Sequence, residues 1–388
     1  MLDSTLTLTN FSMRRASHEI SQQRSLDWLA KVHAAAETKL KTLDPGSAVR
    51  FEERVAKVIA RCACGPDKIA TRGHSVSDVG RTDWSQLTLY DVSRNPRGEG
   101  TSTRARVYDE VVSGYFDAEY AAEGVAPSDL IHVTCTGYSS PSGAQKLVAR
   151  KGWGEQTRVT HAYQMGCYAA FPALRIAAGC LHLPAALASN SKGPARVDIV
   201  HTELCSLHLD PSDHAIEQLV VQSLFADGFI RYAMCAGEQQ QGLRVLAIRE
   251  ALLPDSADAM SWSVSDAGMH MTLARDVPAM ISACLRRFVT KLYDQAGMTI
   301  AALPSSVVAV HPGGPKIIDG VREVLELSDA QVQTSRDVLL DHGNMSSATL
   351  PHIWMRLVGD ASVVPGTLIL SLAFGPGLTV CGGLFRKK

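Results

Sequence analysis

Three residues suited to acyl transfer stand far apart in this sequence, namely Cys167, His311 and Asn344. Cys167 follows an extended stretch and opens an apolar-periodic helix, so the positive end of the helix dipole is expected to favour its thiolate. His311 ends an apolar strand before a proline–glycine turn, and Asn344 lies between two helices. Taken singly, they read as a buried cysteine, a strand-end histidine and a helix N-cap. Together they supply a nucleophile, a base and an amide donor, which is a complete acyl-transfer set.

Two other clusters contain residue types that bind metal ions. The larger one comprises His201, Glu203, Cys205 and His208, and the smaller one is the pair Cys62 and Cys64. Neither cluster has the CxxC or HExxH spacing that gives a metal motif its specificity. Alternation along a strand explains the larger cluster more simply. We therefore expect no metal site.

The composition narrows the class of protein. A chain of 388 residues with 46% hydrophobic and 20% charged residues is typical of a soluble globular protein. The net charge of −1 argues against bulk binding to nucleic acid or to an anionic membrane. No apolar run approaches the roughly 20 residues that span a bilayer, and no secretory signal is apparent. The nine scattered cysteines favour reduced thiols, and so a cytoplasmic protein.

The order of helical and extended patterns predicts two α/β halves that share a core. Residues 1–20 are polar and are predicted to form a loose arm. Residues 21–240 form the half with the nucleophile, and residues 241–388 form the half with the histidine and the asparagine. Helices are predicted over 22–43, 48–62, 107–122, 278–293, 316–327, 329–340 and 346–357. Strands are predicted over 130–134, 197–201, 229–234, 245–248, 262–273, 306–310, 367–374 and 378–384.

Four segments resemble those of a known family, the type III polyketide synthases, which are the chalcone-synthase-like branch of the thiolase-fold ketosynthases. The segments are Met165-Gly-Cys-Tyr168, Val310-His-Pro-Gly-Gly-Pro-Lys-Ile317, Gly343-Asn-Met-Ser-Ser-Ala348 and Phe374-Gly-Pro-Gly-Leu-Thr-Val380. The match runs from about Val107 to Phe385. The resemblance implies a thiolase-like αβαβα five-layered α/β fold from two duplicated halves. It also implies a homodimer, a Cys-His-Asn triad of Cys167, His311 and Asn344, and no metal or redox cofactor.

The resemblance also implies a substrate pocket, with departures from the family pattern. Phe225 takes the place of the gatekeeper phenylalanine, whereas the second gatekeeper position holds Met271. Ser140 stands where plant members extend a methionine towards the partner's pocket, and Cys205 and His208 replace pocket threonines. The remaining implied pocket residues are Ser346, Gly375 and Pro376. A flexible thioether and a small hydroxyl in place of bulky groups predict a reshaped, wider cavity.

The pattern looks closest to bacterial members, particularly the myxobacterial ketosynthases that join two carrier-bound β-keto chains into an α-pyrone antibiotic. The expected activity is therefore an acyltransferase reaction: a Claisen condensation through a cysteine acyl-enzyme, followed by lactonisation. One alternative is an ordinary type III synthase that extends a coenzyme A starter with malonyl units. Two others are a 3-oxoacyl-carrier-protein synthase III and a scaffold subunit of a ketosynthase heterodimer.

The substrates are expected to arrive on coenzyme A or on the phosphopantetheine arm of an acyl carrier protein. Carrier proteins are acidic, so their docking site should be basic. Arg54, Lys57 and Arg61 are candidates, because their spacing places them on one face of a predicted helix.

Overall fold

The computed structural model describes residues 5–184, 195–237 and 239–388. The strands are β1 (Leu6–Arg14), β2 (His18–Ser21), β3 (Thr71–His74), β4 (Asp129–Thr134), β5 (Arg158–Tyr163), β6 (Arg196–Leu204), β7 (Asp227–Ala236), β8 (Leu243–Leu252), β9 (Met260–Ser265), β10 (Gly268–Leu273), β11 (Val307–Val310), β12 (Leu368–Gly375) and β13 (Thr379–Lys387). The helices are α1 (Gln22–Lys41), α2 (Pro45–Cys62), α3 (Thr101–Glu119), α4 (Gly143–Arg150), α5 (Ala170–Leu181), α6 (Ile216–Leu224), α7 (Val277–Gln295), α8 (Pro315–Leu325), α9 (Asp329–His342) and α10 (Thr349–Gly359). None of the helices in this described part combines the length and the apolar character that a bilayer span requires.

The central sheet has the strand order β11-β12-β13-β8-β1-β7-β6-β4-β5. In the first half, β1 and β7 are antiparallel, β7 and β6 are antiparallel, and β6 and β4 are parallel. The second half repeats this pattern: β8 and β13 are antiparallel, β13 and β12 are antiparallel, and β12 and β11 are parallel. The two sets meet where β1 pairs with β8. This repetition confirms the predicted thiolase-like α/β fold with two similar halves.

The prediction of a loose N-terminal arm is wrong for most of its length. Residues 6–14 form β1, which lies in the interior of the sheet between β7 and β8. Thr7 and Leu8 are both fully buried there. The alternation of leucine and threonine suits a strand, because threonine is β-branched and packs well on a pleated surface. A short strand follows, since β2 pairs with β3.

Two buried helices, α5 and α10, link the halves. Helix α5 packs on β4, β6 and β7 and also contacts β13, while α10 packs on β11 and also contacts β1 and β7. The rings of Phe171 in α5 and Trp354 in α10 meet with their centroids 5.9 Å apart. Helices that are apolar on most sides belong in the interior of a fold. Both begin immediately after the loops that hold Cys167 and Asn344, so the duplication brings these loops together.

Most of the longer predicted elements are present, with shifted ends. Helix α2 begins at Pro45, earlier than predicted, because Asp44 caps it by accepting a hydrogen bond of 3.0 Å from the Ser47 backbone N–H. The strand predicted over 262–273 is the hairpin of β9 and β10. Helices α4 and α6 were not predicted from their short apolar patterns.

Candidate active site

Cys167 lies in a 3-10 turn directly before α5. Gly166 precedes it with φ of +69°, and a Cβ atom at this position would lie 2.7 Å from Cδ of Pro376. Glycine is therefore required both for the left-handed backbone and for the close approach. A Cβ atom on Gly375 would likewise meet the Tyr168 ring at 2.4 Å. The predicted pocket residues Gly375 and Pro376 thus pack directly on the turn that carries the nucleophile.

The Cys167 thiol is 8% exposed, and its Sγ atom lies 3.9 Å from Oγ of Ser346. Burial raises the pKa of Cys167 to about 12, and the Ser346 hydroxyl opposes this rise. The expectation of a thiolate favoured by the helix dipole is therefore wrong for the resting site, because desolvation outweighs the dipole. Cys167 is therefore a thiol at neutral pH, and a base would have to take its proton for it to act as a nucleophile.

His311 follows β11 and is held by its backbone N–H, which donates to the Leu372 carbonyl at 2.8 Å. The side chain is 1% exposed, and neither ring nitrogen has a hydrogen-bond partner within the described ranges. Burial lowers the pKa of His311 to about 3, so the imidazole is neutral at physiological pH. A neutral imidazole with a free nitrogen can accept a proton, which is the property required of the base.

Asn344 is fixed by its backbone, since its N–H donates to the Leu224 carbonyl at 3.0 Å and its carbonyl accepts from Ala226 at 2.8 Å. Its side-chain Oδ1 accepts from the Ser346 backbone N–H at 2.9 Å. Because a backbone N–H only donates, the side-chain atom that faces Ser346 is the amide oxygen. The amide nitrogen Nδ2 therefore points away from the Ser346 backbone N–H. That nitrogen forms no hydrogen bond within residues 5–184, 195–237 and 239–388. Asn344 therefore caps the following turn and keeps an N–H donor free.

Sequence reasoning missed a buried polar network beside the nucleophile. The Sγ atom of Cys135, directly after β4, lies 3.1 Å from Oγ of Ser346. The Glu203 carboxylate accepts from the Cys135 backbone N–H at 3.0 Å, from the Thr136 hydroxyl at 3.0 Å and from the Ser347 hydroxyl. Burial raises the pKa of Glu203. Strands β4 and β5 are parallel neighbours, so a cysteine that directly follows β4 shares a sheet edge with the nucleophile turn.

The residues considered as metal ligands have other partners. His201 lies with Nδ1 3.0 Å from the Ser347 hydroxyl, which in turn donates to Glu203. Cys205 and His208 belong to the wall of a cavity. In the part of the chain that the structure describes, no three His, Cys, Asp or Glu side chains are grouped so that they could hold a metal ion.

A partly open cavity of about 50 Å³ brings together the predicted pocket residues Phe225, Met271, Cys205 and His208. The expectation of a wider cavity is a comparison with plant members and stays a prediction. The indoles of Trp28 and Trp262 line the same space.

The remaining predicted residues lie elsewhere. Ser140 is exposed in the loop before α4, outside the residues that line the cavity. Arg54, Lys57 and Arg61 are exposed on α2, and the Arg54 guanidinium lies over the Phe51 ring at 4.7 Å. Helix α2 contacts α6, which contributes to the cavity wall. The structure thus places the three basic residues on one helix near the cavity.

Comparison with known proteins gives two family matches. The chain matches the N-terminal domain of chalcone and stilbene synthases over residues 122–237 and their C-terminal domain over residues 245–387. It is 30% identical over 262 residues to a 1,3,6,8-tetrahydroxynaphthalene synthase from Streptomyces griseus, covering 67% of each chain. It is 31% identical over 266 residues to type III polyketide synthase C from Arabidopsis thaliana, covering 66% of this chain and 67% of the relative.

Solved structures give the same fold along the whole chain. The crystal structure of the tetrahydroxynaphthalene synthase from Streptomyces coelicolor, a bacterial type III polyketide synthase, superimposes with a TM-score of 0.77 at 25% identity and covers 98% of this chain and 99% of that chain. A polyketide synthase from the brown alga Ectocarpus siliculosus superimposes with a TM-score of 0.81 at 20% identity and covers 100% of both chains.

Proposed function

This chain belongs to the chalcone and stilbene synthase family of type III polyketide synthases, and we propose that it joins two thioester-bound β-ketoacyl chains into an α-pyrone. As a member of this enzyme family it is a ketosynthase, and the scaffold alternative is set aside. The match to both chalcone-synthase domains favours the type III branch over a 3-oxoacyl-carrier-protein synthase III.

The first half-reaction is acyl transfer to Cys167. The thiol gives its proton to the neutral imidazole of His311, and the sulfur attacks the carbonyl carbon of the first thioester. The tetrahedral intermediate collapses, the bond to the carrier sulfur breaks, and the carrier thiol leaves with the proton from His311. The product is an acyl-enzyme on Cys167.

The second half-reaction forms the carbon–carbon bond. The second β-ketoacyl chain loses its acidic α-proton to the imidazole of His311, and the resulting carbanion attacks the carbonyl carbon held on Cys167. The negative charge that develops on its thioester oxygen is held by the free N–H of Asn344 and by His311. The bond to Cys167 breaks, and the leaving thiolate takes back the proton from His311. An enol oxygen of the joined chain then attacks the remaining thioester, closes the lactone and releases the carrier thiol.

The observation that carries this proposal is that three of the four departures from the family pattern meet in one place. Met271, Cys205 and His208 line a single cavity with the gatekeeper Phe225. Phe225 also pairs with Asn344 in an isolated β-bridge, so this cavity wall adjoins the asparagine turn. A methionine gate adapts its shape more readily than an aromatic one, which suits two chains of different bulk.

The second candidate is repeated extension of a coenzyme A starter with malonyl units. The free space of about 50 Å³ favours it, because a small pocket suits a short starter better than two long chains. The relatives named as tetrahydroxynaphthalene synthases are also consistent with repeated extension.

Product analysis separates the two candidates. The purified protein is supplied either with two β-ketoacyl thioesters or with an acyl starter and malonyl-coenzyme A, and Cys167→Ala serves as the control. The proposal predicts a pyrone that contains the carbons of both supplied chains. Efficient repeated extension of the starter, with no pyrone from the paired β-ketoacyl thioesters, contradicts it.

The proposal also covers the oligomeric state, the cellular compartment and the substrate carrier. The protein acts as a homodimer in the cytoplasm, and its nine cysteines are all free in the structure, which suits a reducing compartment. The chains are delivered on an acyl carrier protein that docks on Arg54, Lys57 and Arg61, or on coenzyme A. No metal or redox cofactor takes part. The assay above, repeated with each chain attached either to an acyl carrier protein or to coenzyme A, shows which carrier delivers the substrates.

A further inference from the structure

One wall of the cavity carries a histidine whose polar atoms are unused. His74, the last residue of β3, is 3% exposed and lines the cavity. Neither of its ring nitrogens has a hydrogen-bond partner within the described ranges. In contrast, His208 of the same cavity binds the Thr136 carbonyl at 2.7 Å and the Met269 backbone N–H at 3.2 Å. Buried polar groups normally have hydrogen-bond partners, so the two unpaired ring nitrogens of His74 indicate a place for a bound ligand.

Arg72 adds a buried positive charge to the same wall. It is 2% exposed and lines the cavity. Its Nε donates to Oε1 of Gln22 at 2.8 Å, and its Nη1 donates to the carbonyls of Gln222 and Phe225, each at 2.8 Å. These acceptors are neutral, and within the described residues Nη2 forms no hydrogen bond. A buried cation without a full set of acceptors favours a further oxygen close by.

The two groups together define the chemistry of a ligand. Arg72 only donates hydrogen bonds, and a neutral His74 has one N–H donor, so the complementary group is an acceptor. The space of about 50 Å³ admits a small group of atoms. Phe225, another wall residue, pairs with Asn344 in an isolated β-bridge, so this wall adjoins the turn that is set against Cys167.

We propose that Arg72 and His74 bind a ketone oxygen on the acyl chain carried by Cys167, and that His74 thereby selects oxygenated chains over saturated ones. The proposal needs acyl transfer to Cys167 but not the joining of two chains. It therefore stands or falls separately from the pyrone reaction. The alternative occupant is a water molecule, for which the space is sufficient.

The test measures acylation of Cys167 by small-molecule thioesters, followed by intact-protein mass spectrometry. Octanoyl thioester is compared with isomers that carry a ketone at the third, fifth or seventh carbon. A site built to hydrogen-bond an oxygen discriminates against the analogue that lacks it, so one ketone isomer should acylate the wild type about tenfold faster or more. In His74→Leu this preference should disappear, so that the ketone isomer and the octanoyl thioester acylate at rates within about twofold of each other.

Two further variants complete the design. His74→Gln keeps an N–H donor and should retain most of the preference. His18→Leu is the matched control, because His18 is the exposed register partner of His74 on β2 and should leave the preference unchanged. The melting temperature of each variant is measured, and His74→Met replaces His74→Leu if the latter unfolds.

The outcomes that overturn the proposal are distinct. A wild type that acylates at the same rate with all isomers shows that the cavity holds only water. A preference that survives in a folded His74→Leu or His74→Met variant shows that other residues select the chain. Normal ketone selection without pyrone formation leaves this proposal intact and contradicts only the joining of two chains.

Discussion

The Sγ atom of Cys167 lies 3.9 Å from the Oγ atom of Ser346, although 179 positions separate the two residues in the sequence. Each stands in a 3-10 turn that leads into a buried helix, α5 for Cys167 and α10 for Ser346. These turns occupy corresponding places in the two halves of the fold. The duplication therefore builds the site by setting the nucleophile turn of one half against the asparagine turn of the other.

This contact predicts a moderate role for Ser346 in activating the nucleophile. The Ser346 hydroxyl lowers the pKa of Cys167, so Ser346→Ala should raise that pKa and slow acylation by about fivefold, the equivalent of a net hydrogen bond of about 1 kcal/mol. Single-turnover acylation measures the rate, and the exposed Ser362→Ala is the control. An unchanged acylation rate in a folded Ser346→Ala variant contradicts this role.

The pH dependence of alkylation should reveal the part played by His311. Since burial lowers the pKa of His311 to about 3, the imidazole is already free to accept a proton at about pH 6 and above, and alkylation of wild-type Cys167 should vary little up to about pH 9. In His311→Ala the reaction depends on thiolate alone. Because burial raises the pKa of Cys167 to about 12, the thiolate fraction then rises about tenfold per pH unit.

Rates of iodoacetamide labelling of Cys167, read by peptide mass spectrometry across this range, measure both profiles. The same steep slope in wild type and His311→Ala would show that His311 does not take the proton.

Asn344 is expected to act mainly in the condensation step. Its free N–H stabilises the oxygen that becomes anionic there, so Asn344→Ala should slow condensation by about a hundredfold or more and acylation much less. Asn344→Asp is the informative comparison, since it keeps an acceptor oxygen for the Ser346 N–H but has no N–H donor. Single-turnover kinetics resolve the two steps. Normal condensation in both variants would remove Asn344 from the mechanism.

The size of the side chain at Met271 is expected to control chain length. Met271→Phe fills more of the cavity with a stiffer group, so long acyl thioesters should lose about tenfold or more in kcat/KM relative to short ones. Val264→Phe, on the exposed side of the neighbouring strand β9, is the matched control. A chain-length profile that does not change in Met271→Phe would make Met271 an ordinary core residue.

The three residues proposed to act together could be singled out because each stands in a short local motif. Cys167, His311 and Asn344 are surrounded by glycines, prolines and apolar runs that predict turns at the ends of strands and helices. The strands of the sheet were likewise visible where apolar residues run without interruption. Strand β1 was missed because its threonines look polar, whereas in the fold Thr7 is buried between two neighbouring strands.

The polar network, the cavity and the protonation state of Cys167 depend on tertiary contacts that no local sequence pattern encodes. Cys135 and Glu203 come from different strands, and only the sheet register brings them beside Ser346. Trp28, from the distant helix α1, lines the cavity together with residues of the second half such as Met271, a contact that no local pattern indicates. The protonation of Cys167 follows from the burial of the whole turn, which a helix-start position alone does not reveal.

The central claim is that Cys167 carries the acyl chain. Intact-protein mass spectrometry after exposure to a β-ketoacyl thioester tests it directly, with Cys167→Ala and Cys135→Ala compared with the wild type. The account predicts one acyl adduct on the wild type and on Cys135→Ala, mapped to Cys167, and no adduct on a folded Cys167→Ala protein. An adduct that persists in Cys167→Ala, or that maps to Cys135, would contradict it.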